Sequence, residues 1–470
     1  MTTSVLVTRF KRFFFQNISL KQIIAKNTIW LFSGEILSRL VKAAIVIYAA
    51  RVLGVANWGV FSYAITIVGF FTIFCEFGLA GFLTRELVKD SPSRLKYIST
   101  ACFIKLLLLA ISFFLLITIG PILTKMPGLN SLLLIVSVIL IFDSLREFSF
   151  SMSRALEKME WEAIIRISTN VLTALLGFIF LYISPTVTSF ASAYAVGSFL
   201  SFILAGAILR GCWTGLGTNF TRSLVWPIIV SAWPLALLGL LGGLMIHTDV
   251  FMIGLYSSSA AVGYYAIAQR IIQLVYTAPD LISRAFFPTY VRLAQKDPPQ
   301  FRRVLEKSIS LAFLFGLPML VGGLFLAQEI VYFLFGTAYL PSTGVFRILL
   351  LTVVIVFPAS LANQAIFAYH QEKKFFIFFL LGGLSNVVFN ALLIPRFGIE
   401  GSAVATIISQ LLAYGFIWIQ MKKINYFSVL PYLKKILPAT LIMAALVSGL
   451  KFLGLHFILN LSLSSLAYIG

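Results

Sequence analysis

Long apolar runs alternate with short polar segments along almost the whole chain. About 20 consecutive apolar residues in a helix are enough to cross the ~30 Å hydrocarbon core of a membrane. We therefore predict an all-α polytopic membrane protein. The runs predict about fourteen membrane-spanning helices, at approximately 28–50, 59–79, 98–120, 131–153, 162–183, 186–209, 224–247, 263–285, 308–334, 343–367, 374–394, 399–421, 433–450 and 453–469.

The distribution of Lys and Arg among the loops predicts an orientation. If the N-terminus is cytoplasmic, the outer loops hold only Arg51, Lys125, Arg396 and Lys451, while the inner loops are rich in Lys and Arg. Cytoplasmic loops of membrane proteins carry such an excess of basic residues. The pattern predicts a multi-pass membrane protein with both termini in the cytoplasm.

The composition excludes several classes of protein. The chain has 470 residues, 60% of them hydrophobic, and a net charge of +20; its mean hydropathy is +0.99. A soluble protein this apolar could not cover its surface with polar groups. No nucleic-acid-binding motif accompanies the positive charge, so we expect no nucleic-acid partner. The three Cys and three His lack the spacings of metal sites, and we predict neither a metal nor a cofactor.

A short motif occurs twice and predicts an internal repeat. Gly54 precedes Gly59 and an aromatic-Ala segment, and Gly254 precedes Gly263 and a similar segment. Two parallel copies of a six-helix unit would be related by an axis along the membrane normal. The predicted domains are a basic interfacial segment (1–26), an N-lobe with helices 1–6 (27–210), a cytoplasmic linker (211–223), a C-lobe with helices 7–12 (224–423) and two extra C-terminal helices (424–470).

Three charged residues share one face of the first predicted helix, namely Glu35, Arg39 and Lys42. Each would cost about 2.5–3.5 kcal/mol near the bilayer centre if it faced lipid. The face should therefore point toward other helices or a water-filled cavity. Glu35 and Arg39 can pair at i,i+4. No acidic residue is then left on this helix to balance Lys42, which favours a cationic interior.

Three further basic residues lie within predicted spans. Arg270 and Arg347 have no acidic residue within four positions on their own helices. We predict that both line a cavity and bind substrate, together with Arg39 and Lys42. Lys105 lies one to two turns from a membrane face, and a cavity position and a structural role are both open for it.

Several acidic residues in the spans have a basic neighbour on the same helix. Asp143, Arg146 and Glu147 stand at i, i+3 and i+4, which predicts a self-satisfied cluster. Asp280 and Arg284 predict an i,i+4 ion pair.

Asp249 has only His247 beside it near one end of the seventh span. It is either an ion-coupling site or an interfacial polar end. For Glu35 and Asp143 the two alternatives are ion coupling and structural pairing. Asn386 and Asn390, at i,i+4, are predicted to hold helices together.

Three segments resemble a known family. They are Arg51-Val52-Leu53-Gly54 with Trp58-Gly59, Val262-Gly263-Tyr264-Tyr265, and Ile394-Pro395-Arg396-Phe397-Gly398-Ile399-Glu400-Gly401-Ser402-Ala403-Val404-Ala405-Thr406. Together they resemble the Wzx-like polysaccharide, or O-antigen, flippases of the multidrug/oligosaccharidyl-lipid/polysaccharide exporter superfamily.

The resemblance implies a MATE/MurJ-like, V-shaped transporter with a central cavity between helices 1–6 and 7–12. Members turn undecaprenyl-diphosphate-linked oligosaccharides, the repeat units of O-antigen, capsule or exopolysaccharide, across the membrane by alternating access. The resemblance therefore implies a location in the bacterial inner (cytoplasmic) membrane. In the lipid II branch, cations on the first and eighth helices line the cavity; here those helices carry Arg39, Lys42 and Arg270. We expect H⁺ or Na⁺ as coupling ion, and polysaccharide polymerase or export machinery as partners.

Three other functions are alternatives to that of a polysaccharide flippase. A lipid II flippase shares the helix number and the cationic cavity. A cation-coupled multidrug antiporter would favour an acidic excess in the cavity, whereas the charges within the predicted spans that lack an opposite charge nearby on the same helix are mostly basic. A polysaccharide polymerase or ligase needs a large outer loop for its catalytic residues, and the predicted outer loops are short. We therefore predict a transporter and not an enzyme.

Overall fold

The computed structural model describes residues 20–88, 94–122, 126–156, 158–213, 217–453 and 457–469. The described chain is helical, without strands, and divides into two compact units. Unit 1 comprises residues 1–53 and 64–240, and unit 2 comprises residues 54–63 and 241–470. The first and eighth helices pass through both units.

The helices of unit 1 follow one another along the chain with short connections. They are α1 (Leu20–Glu76), α2 (Leu79–Val88), α3 (Arg94–Ile119), α4 (Leu129–Ala155), α5 (Met159–Ile183), α6 (Val187–Ile208), the single turn α7 (Arg210–Trp213) and the first part of α8 (Val225–Tyr256).

Unit 2 begins with the ten residues of α1 from Gly54 to Tyr63 and continues from the second part of α8. Its other helices are α9 (Ser259–Val275), α10 (Thr277–Leu293), α11 (Pro298–Phe325), α12 (Ala327–Phe335), α13 (Ser342–Leu350), α14 (Val353–Ala368), α15 (Lys374–Ile424), α16 (Leu430–Phe452) and α17 (Phe457–Ile469).

In the described part of the chain, nine helices are long and apolar enough to cross a membrane, or ten if the bent pair α13–α14 forms one span. Two of these helices each contain two predicted spans. α1 is interrupted by Gly54 (φ 75°) and α15 by Gly398 (φ 57°). Positive φ values are accessible to glycine at little cost. The all-α membrane fold is thus confirmed, and the predicted borders between spans 1 and 2 and between spans 11 and 12 coincide with these two glycines.

Further breaks lie near the end of the predicted run 59–79 and inside runs that were predicted as single helices. α1 ends at Glu76, and Phe77 and Gly78 follow with positive φ values of 40° and 71°. A Cβ atom on Gly78 would lie 2.4 Å from the carbonyl oxygen of Ala232, so this close approach also requires glycine. Run 263–285 is divided at Tyr276 into α9 and α10, and run 343–367 bends by 42° between α13 and α14.

Within unit 2, the glycines of the repeated motif lie at a helix crossing. A Cβ atom on Gly59 would be 1.8 Å from the carbonyl oxygen of Ser259, and one on Gly263 would be 2.2 Å from that of Val55. Each copy of the motif therefore places its glycine against the backbone of the other copy. Small residues allow this kind of close helix packing in membranes.

Within unit 2, the C-terminal helices pack against the preceding helices through a small apolar cluster of Leu326, Met443 and Val447. Lys451 adds an ion pair to Glu329 at 2.8 Å. The predicted domain limits stay predictions, and the predicted interfacial segment 1–26 lies outside the described residues for positions 1–19.

Candidate functional sites

The most enclosed carboxylate of unit 2 is Asp249 on α8, which is 2% exposed. Its Oδ1 atom accepts hydrogen bonds from the amide groups of Asn386 and Asn390, each at 2.9 Å. Its Oδ2 atom accepts hydrogen bonds from the hydroxyl groups of Tyr265 and Thr406, also at 2.9 Å. We call these five residues the Asp249 cluster.

The sequence brings this cluster together through helical spacing on both sides of Gly398. Asn386 and Asn390 stand at i,i+4 before this glycine, and Ser402 and Thr406 stand at i,i+4 after it. The interruption at Gly398 lets the two halves of α15 face each other. The Ser402 hydroxyl then donates to Oδ1 of Asn390 at 2.6 Å and fixes the amide.

No basic side chain forms an ion pair with Asp249 among the described residues. All four of its hydrogen-bond donors are neutral amide or hydroxyl groups. Neutral donors satisfy the oxygens of a buried carboxylate, but they leave its charge uncompensated. The Asp249 cluster therefore combines one negative charge with several oxygen atoms that can turn toward a small cation.

Sequence reasoning found part of this cluster. It singled out Asp249 for ion coupling or an interfacial role, and Asn386 with Asn390 for holding helices together. His247, the predicted neighbour, is not among the hydrogen-bond partners of Asp249. Tyr265 and Thr406 were missed, although both stand in the segments that carried the family resemblance. Their polar side chains inside apolar helices were the available signal.

Unit 1 holds a buried cation in a different way. Lys105 on α3 is fully buried, and its ammonium group lies 2.5 Å from Oε1 of Glu76 at the end of α1. Ser144 on α4 donates to the same oxygen at 3.2 Å. The structure thus gives Lys105 an acidic partner from another helix, while the predicted role of Lys105 as a cavity cation stays a prediction.

Two acidic side chains, Asp143 of α4 and Glu162 of α5, are also held by guanidinium groups. Asp143 accepts hydrogen bonds from Arg146 and from Ser198, both at 2.7 Å, so its predicted pairing with Arg146 is present. Glu147, the third member of the predicted cluster, makes no hydrogen bond or ion pair with another described residue.

Glu162 is 2% exposed and forms ion pairs with two arginines. Arg154 contacts both carboxylate oxygens through Nε and Nη2 at 2.8 Å, and Arg166 bonds to Oε1 at 2.8 Å. This fork geometry is the strong form of an arginine–carboxylate pair.

The remaining predicted cavity cations are more accessible. Arg39 is half-buried and Lys42 is exposed on the unit 1 part of α1, whereas the side chain of Glu35 lies outside the described residues. In unit 2, Arg270 is half-buried with Nη1 3.3 Å from Gln273, and Arg347 is exposed. Their predicted contact with substrate stays a prediction.

Comparison with solved structures defines the class of fold. The lipid II flippase MurJ in an inward closed conformation has a TM-score of 0.78 at 19% identity, covering 94% of this chain and 97% of that chain. An inward-facing multidrug resistance MATE family transporter of the MOP superfamily has a TM-score of 0.64 at 14% identity, covering 82% and 98%. The chain therefore has the all-α fold of this class of membrane transporters.

The sequence places the chain within that class. Residues 24–294 match the family described as polysaccharide biosynthesis protein, which is more than half of the chain, so this protein belongs to that family. Residues 250–470 also match the family described as lipid II flippase MurJ. Family membership confirms the predicted resemblance to Wzx-like polysaccharide flippases.

Two curated relatives extend over most of the chain. A probable flippase, AglR of Haloferax volcanii, is 26% identical over 402 residues, which cover 83% of this chain and 81% of the relative. A putative O-antigen transporter of Shigella flexneri is 24% identical over 397 residues, which cover 81% of this chain and 94% of the relative.

Proposed function

We propose that this protein is a flippase that moves an undecaprenyl-diphosphate-linked oligosaccharide across the cytoplasmic membrane by alternating access. The observation that carries the proposal is the presence of accessible cations, Lys42 and Arg347, in apolar helices of a chain that belongs to a polysaccharide biosynthesis family. The names of the relatives, a flippase and an O-antigen transporter, support the same function. The protein transports its substrate and does not cleave it.

The chemistry of the substrate explains the need for cations. A diphosphate group carries about two negative charges, and burying them bare in hydrocarbon is prohibitively costly. A guanidinium group offers paired donors to phosphate, and an ammonium group acts as a compact positive charge. Arg39, Lys42, Arg270 and Arg347 are the proposed ligands of the diphosphate, while the polyprenyl tail stays in lipid.

We assign ion coupling to the Asp249 cluster. A proton on Oδ2 is compatible with its surroundings, because the Thr406 hydroxyl lies 3.1 Å from the Ser402 carbonyl oxygen and can turn its proton there. Na⁺ is the alternative, since hard cations prefer carboxylate, amide and hydroxyl oxygens. Either ion would neutralise Asp249 and so favour one conformation of unit 2 over another.

The proposed orientation follows from the loop charges. Inner loops rich in Lys and Arg support cytoplasmic termini. The substrate would then enter from the cytoplasmic leaflet, where the oligosaccharide is assembled on its carrier, and leave toward polysaccharide polymerase or export machinery on the other side.

The test is translocation in liposomes that contain the purified protein. Labelled undecaprenyl-diphosphate oligosaccharide is incorporated, and an added glycosidase reports which leaflet holds the sugar. We expect translocation well above that of protein-free liposomes, and strong impairment by Arg39→Gln with Lys42→Gln. Normal translocation by this double variant, at equal amounts of inserted protein, would rule out the assignment of these two cations.

A lipid II flippase is the second candidate function. It is favoured by the match of residues 250–470 to the MurJ family. Lipid II carries the same polyprenyl-diphosphate group, so the proposed cations suit it equally well. Replacing the oligosaccharide substrate by lipid II in the same liposomes decides between the two. Gradient-driven efflux of cationic dyes without translocation of either lipid would instead indicate a drug antiporter.

A further inference from the structure

Two helix breaks in unit 2 are joined by side chains. The first break lies at Tyr276, between α9 and α10. The second lies at Leu351 and Thr352, where α13 and α14 meet at a bend of 42°. Backbone groups that lose their helical partners at such breaks need other hydrogen bonds or a 3₁₀-like turn.

A hydrogen-bond chain connects the two breaks with α15. The Tyr276 hydroxyl bonds to the Thr352 hydroxyl, which in turn bonds to the carbonyl oxygen of Leu349 at the second break. On the other side, Nε2 of Gln410 donates to the Tyr276 hydroxyl at 3.3 Å. We call Gln410, Tyr276 and Thr352 the break-linking chain.

The direction of this chain follows from the available protons. A carbonyl oxygen only accepts and an amide nitrogen only donates, while each hydroxyl has a single proton to give. Gln410 therefore donates to Tyr276, Tyr276 donates to Thr352, and Thr352 donates to Leu349. Each of the two hydroxyl protons is used once, so neither hydroxyl can change its donor direction alone.

The chain has a second consistent arrangement. Oε1 of Gln410 is buried and has no hydrogen-bond partner among the described residues. If the amide group rotates, Oε1 accepts from Tyr276, Tyr276 accepts from Thr352, and the Thr352 hydroxyl leaves the Leu349 carbonyl. Reversal of the chain thus removes a hydrogen bond from the second break. Two discrete arrangements of this kind can bias a bend between two states.

The break-linking chain starts next to the Asp249 cluster. Gln410 follows Thr406 by four residues on α15, so both side chains lie on one face of the helix. Thr406 bonds directly to Asp249. A rotation or shift of this helical segment on ion binding would move Gln410 together with Thr406 and change which atom Gln410 presents to Tyr276.

We propose that Gln410, Tyr276 and Thr352 are positioning residues that transmit the state of the Asp249 cluster to the bend between α13 and α14. The proposal rests on the ion-coupling part of the proposed function. It predicts that the Asp249 cluster determines the affinity for the ion. The break-linking chain determines how much the angle between α13 and α14 changes when the ion binds.

Tyr276→Phe and Thr352→Val test the chain by removing one hydroxyl each. The matched control is Tyr290→Phe, because the Tyr290 hydroxyl also bonds to a hydroxyl, that of Ser308, but away from both breaks. Thr352→Ser keeps the hydroxyl and should restore the wild-type response. We expect both test variants to lower ion-driven translocation at least tenfold, while the half-saturating ion concentration changes less than twofold.

A distance measurement reads the bend without any substrate. The three native cysteines are replaced by Ser, and spin labels are placed at exposed positions 341 and 367, on the two sides of the second break. The distance should change with Na⁺ or pH in the otherwise unaltered chain, in Tyr290→Phe and in Thr352→Ser. It should be the same with and without the ion in Tyr276→Phe and Thr352→Val.

The outcomes distinguish the proposed role of the break-linking chain from the proposed flippase function. An ion response in Tyr276→Phe and Thr352→Val equal to that of the control overturns the role of the chain, and so does a bend that never responds to ions. Liposomes that fail to translocate the lipid-linked sugar overturn the flippase function, whatever the distances show. If Tyr276→Phe and Thr352→Val lose no more translocation than Tyr290→Phe does, the break-linking chain has only a structural role.

Discussion

Unit 1 and unit 2 differ in how they hold the most buried carboxylate that is described in each, Glu162 in unit 1 and Asp249 in unit 2. In unit 1, Glu76 is paired with the buried ammonium group of Lys105, and Glu162 is held by two guanidinium groups. In unit 2, Asp249 receives four hydrogen bonds from neutral groups only. A carboxylate that is already paired with a basic side chain is stabilised little by a bound ion. Asp249 has no such basic partner among the described residues, so a bound cation would neutralise its charge.

The difference suggests a division of labour between the units. Buried ion pairs are costly to break, because loss of one partner leaves the other charge buried and uncompensated. They suit a unit whose helices keep their arrangement. An uncompensated carboxylate among rotatable amides and hydroxyls suits a unit whose conformation depends on an ion. Four predictions test this comparison.

The largest expected effect concerns Lys105. Lys105→Met leaves Glu76 without its cation and should cost about 3 kcal/mol of the free energy of unfolding. The double variant Lys105→Met, Glu76→Leu removes both charges and should recover most of that loss. The measurement is denaturation in lipid nanodiscs. Full stability of Lys105→Met combined with lost translocation would show instead that Lys105 serves the substrate.

Asp249→Asn should abolish stabilisation by the coupling ion. An ion at 100 times its dissociation constant stabilises the folded state by about 2.7 kcal/mol, and this gain should vanish in the variant. Thermal unfolding at increasing Na⁺, and separately at decreasing pH, measures it at constant ionic strength. Asp280→Asn is the control, since Asp280 is a partly exposed acid paired with Arg284. Equal ion stabilisation in both variants would contradict the assignment.

Thr406→Val should weaken Na⁺ binding without abolishing it. The variant removes one oxygen ligand, for which we expect about 1.4 kcal/mol, or a tenfold higher dissociation constant. Thr440→Val controls for the loss of a buried hydroxyl, because the Thr440 hydroxyl donates to the Ile436 carbonyl oxygen of its own helix. Unchanged Na⁺ affinity in Thr406→Val would leave this hydroxyl outside the ion site.

The smallest effect is expected at the Asp280–Arg284 pair of unit 2. Its charged groups lie 2.9 Å apart, but the Arg284 side chain is 52% exposed. An exposed pair contributes about 0.5 kcal/mol, so Arg284→Ala should change stability little. The same unfolding experiment measures it beside Lys105→Met. A loss as large as that of Lys105→Met would remove the contrast between buried and exposed pairs.

Local sequence spacing predicted the features that depend on one helix. The apolar runs predicted the long membrane helices, and the i,i+4 rule predicted the pair of Asp280 with Arg284. One glycine of the repeated motif, Gly54, marked a helix interruption, because it adopts a positive φ that other residues avoid.

Contacts between different helices could not be predicted from spacing along the sequence. Glu76 and Lys105 are 29 residues apart, and Asp249 and Thr406 are 157 residues apart. Whether such residues meet depends on the rotation of each helix about its axis. Helices that are apolar on every side give no hydrophobic face from which that rotation could be read.

The break-linking chain was also invisible in the sequence. Thr352 does not stand beside a glycine or a proline that would mark the second break, and Pro279, three residues after Tyr276, marks only the first. The hydrogen bonds that link Tyr276 to Thr352 and Gln410 depend on how the helices pack, so spacing along the sequence did not show them.

Ion dependence of translocation is the most direct test of the account. Liposomes with wild-type protein, Asp249→Asn or Asp280→Asn are given the same lipid-linked oligosaccharide, with and without a gradient of H⁺ or Na⁺. We predict that one of these gradients accelerates translocation by the wild type and by Asp280→Asn, while Asp249→Asn is insensitive to it. An undiminished gradient response in Asp249→Asn would contradict the assignment of ion coupling to unit 2.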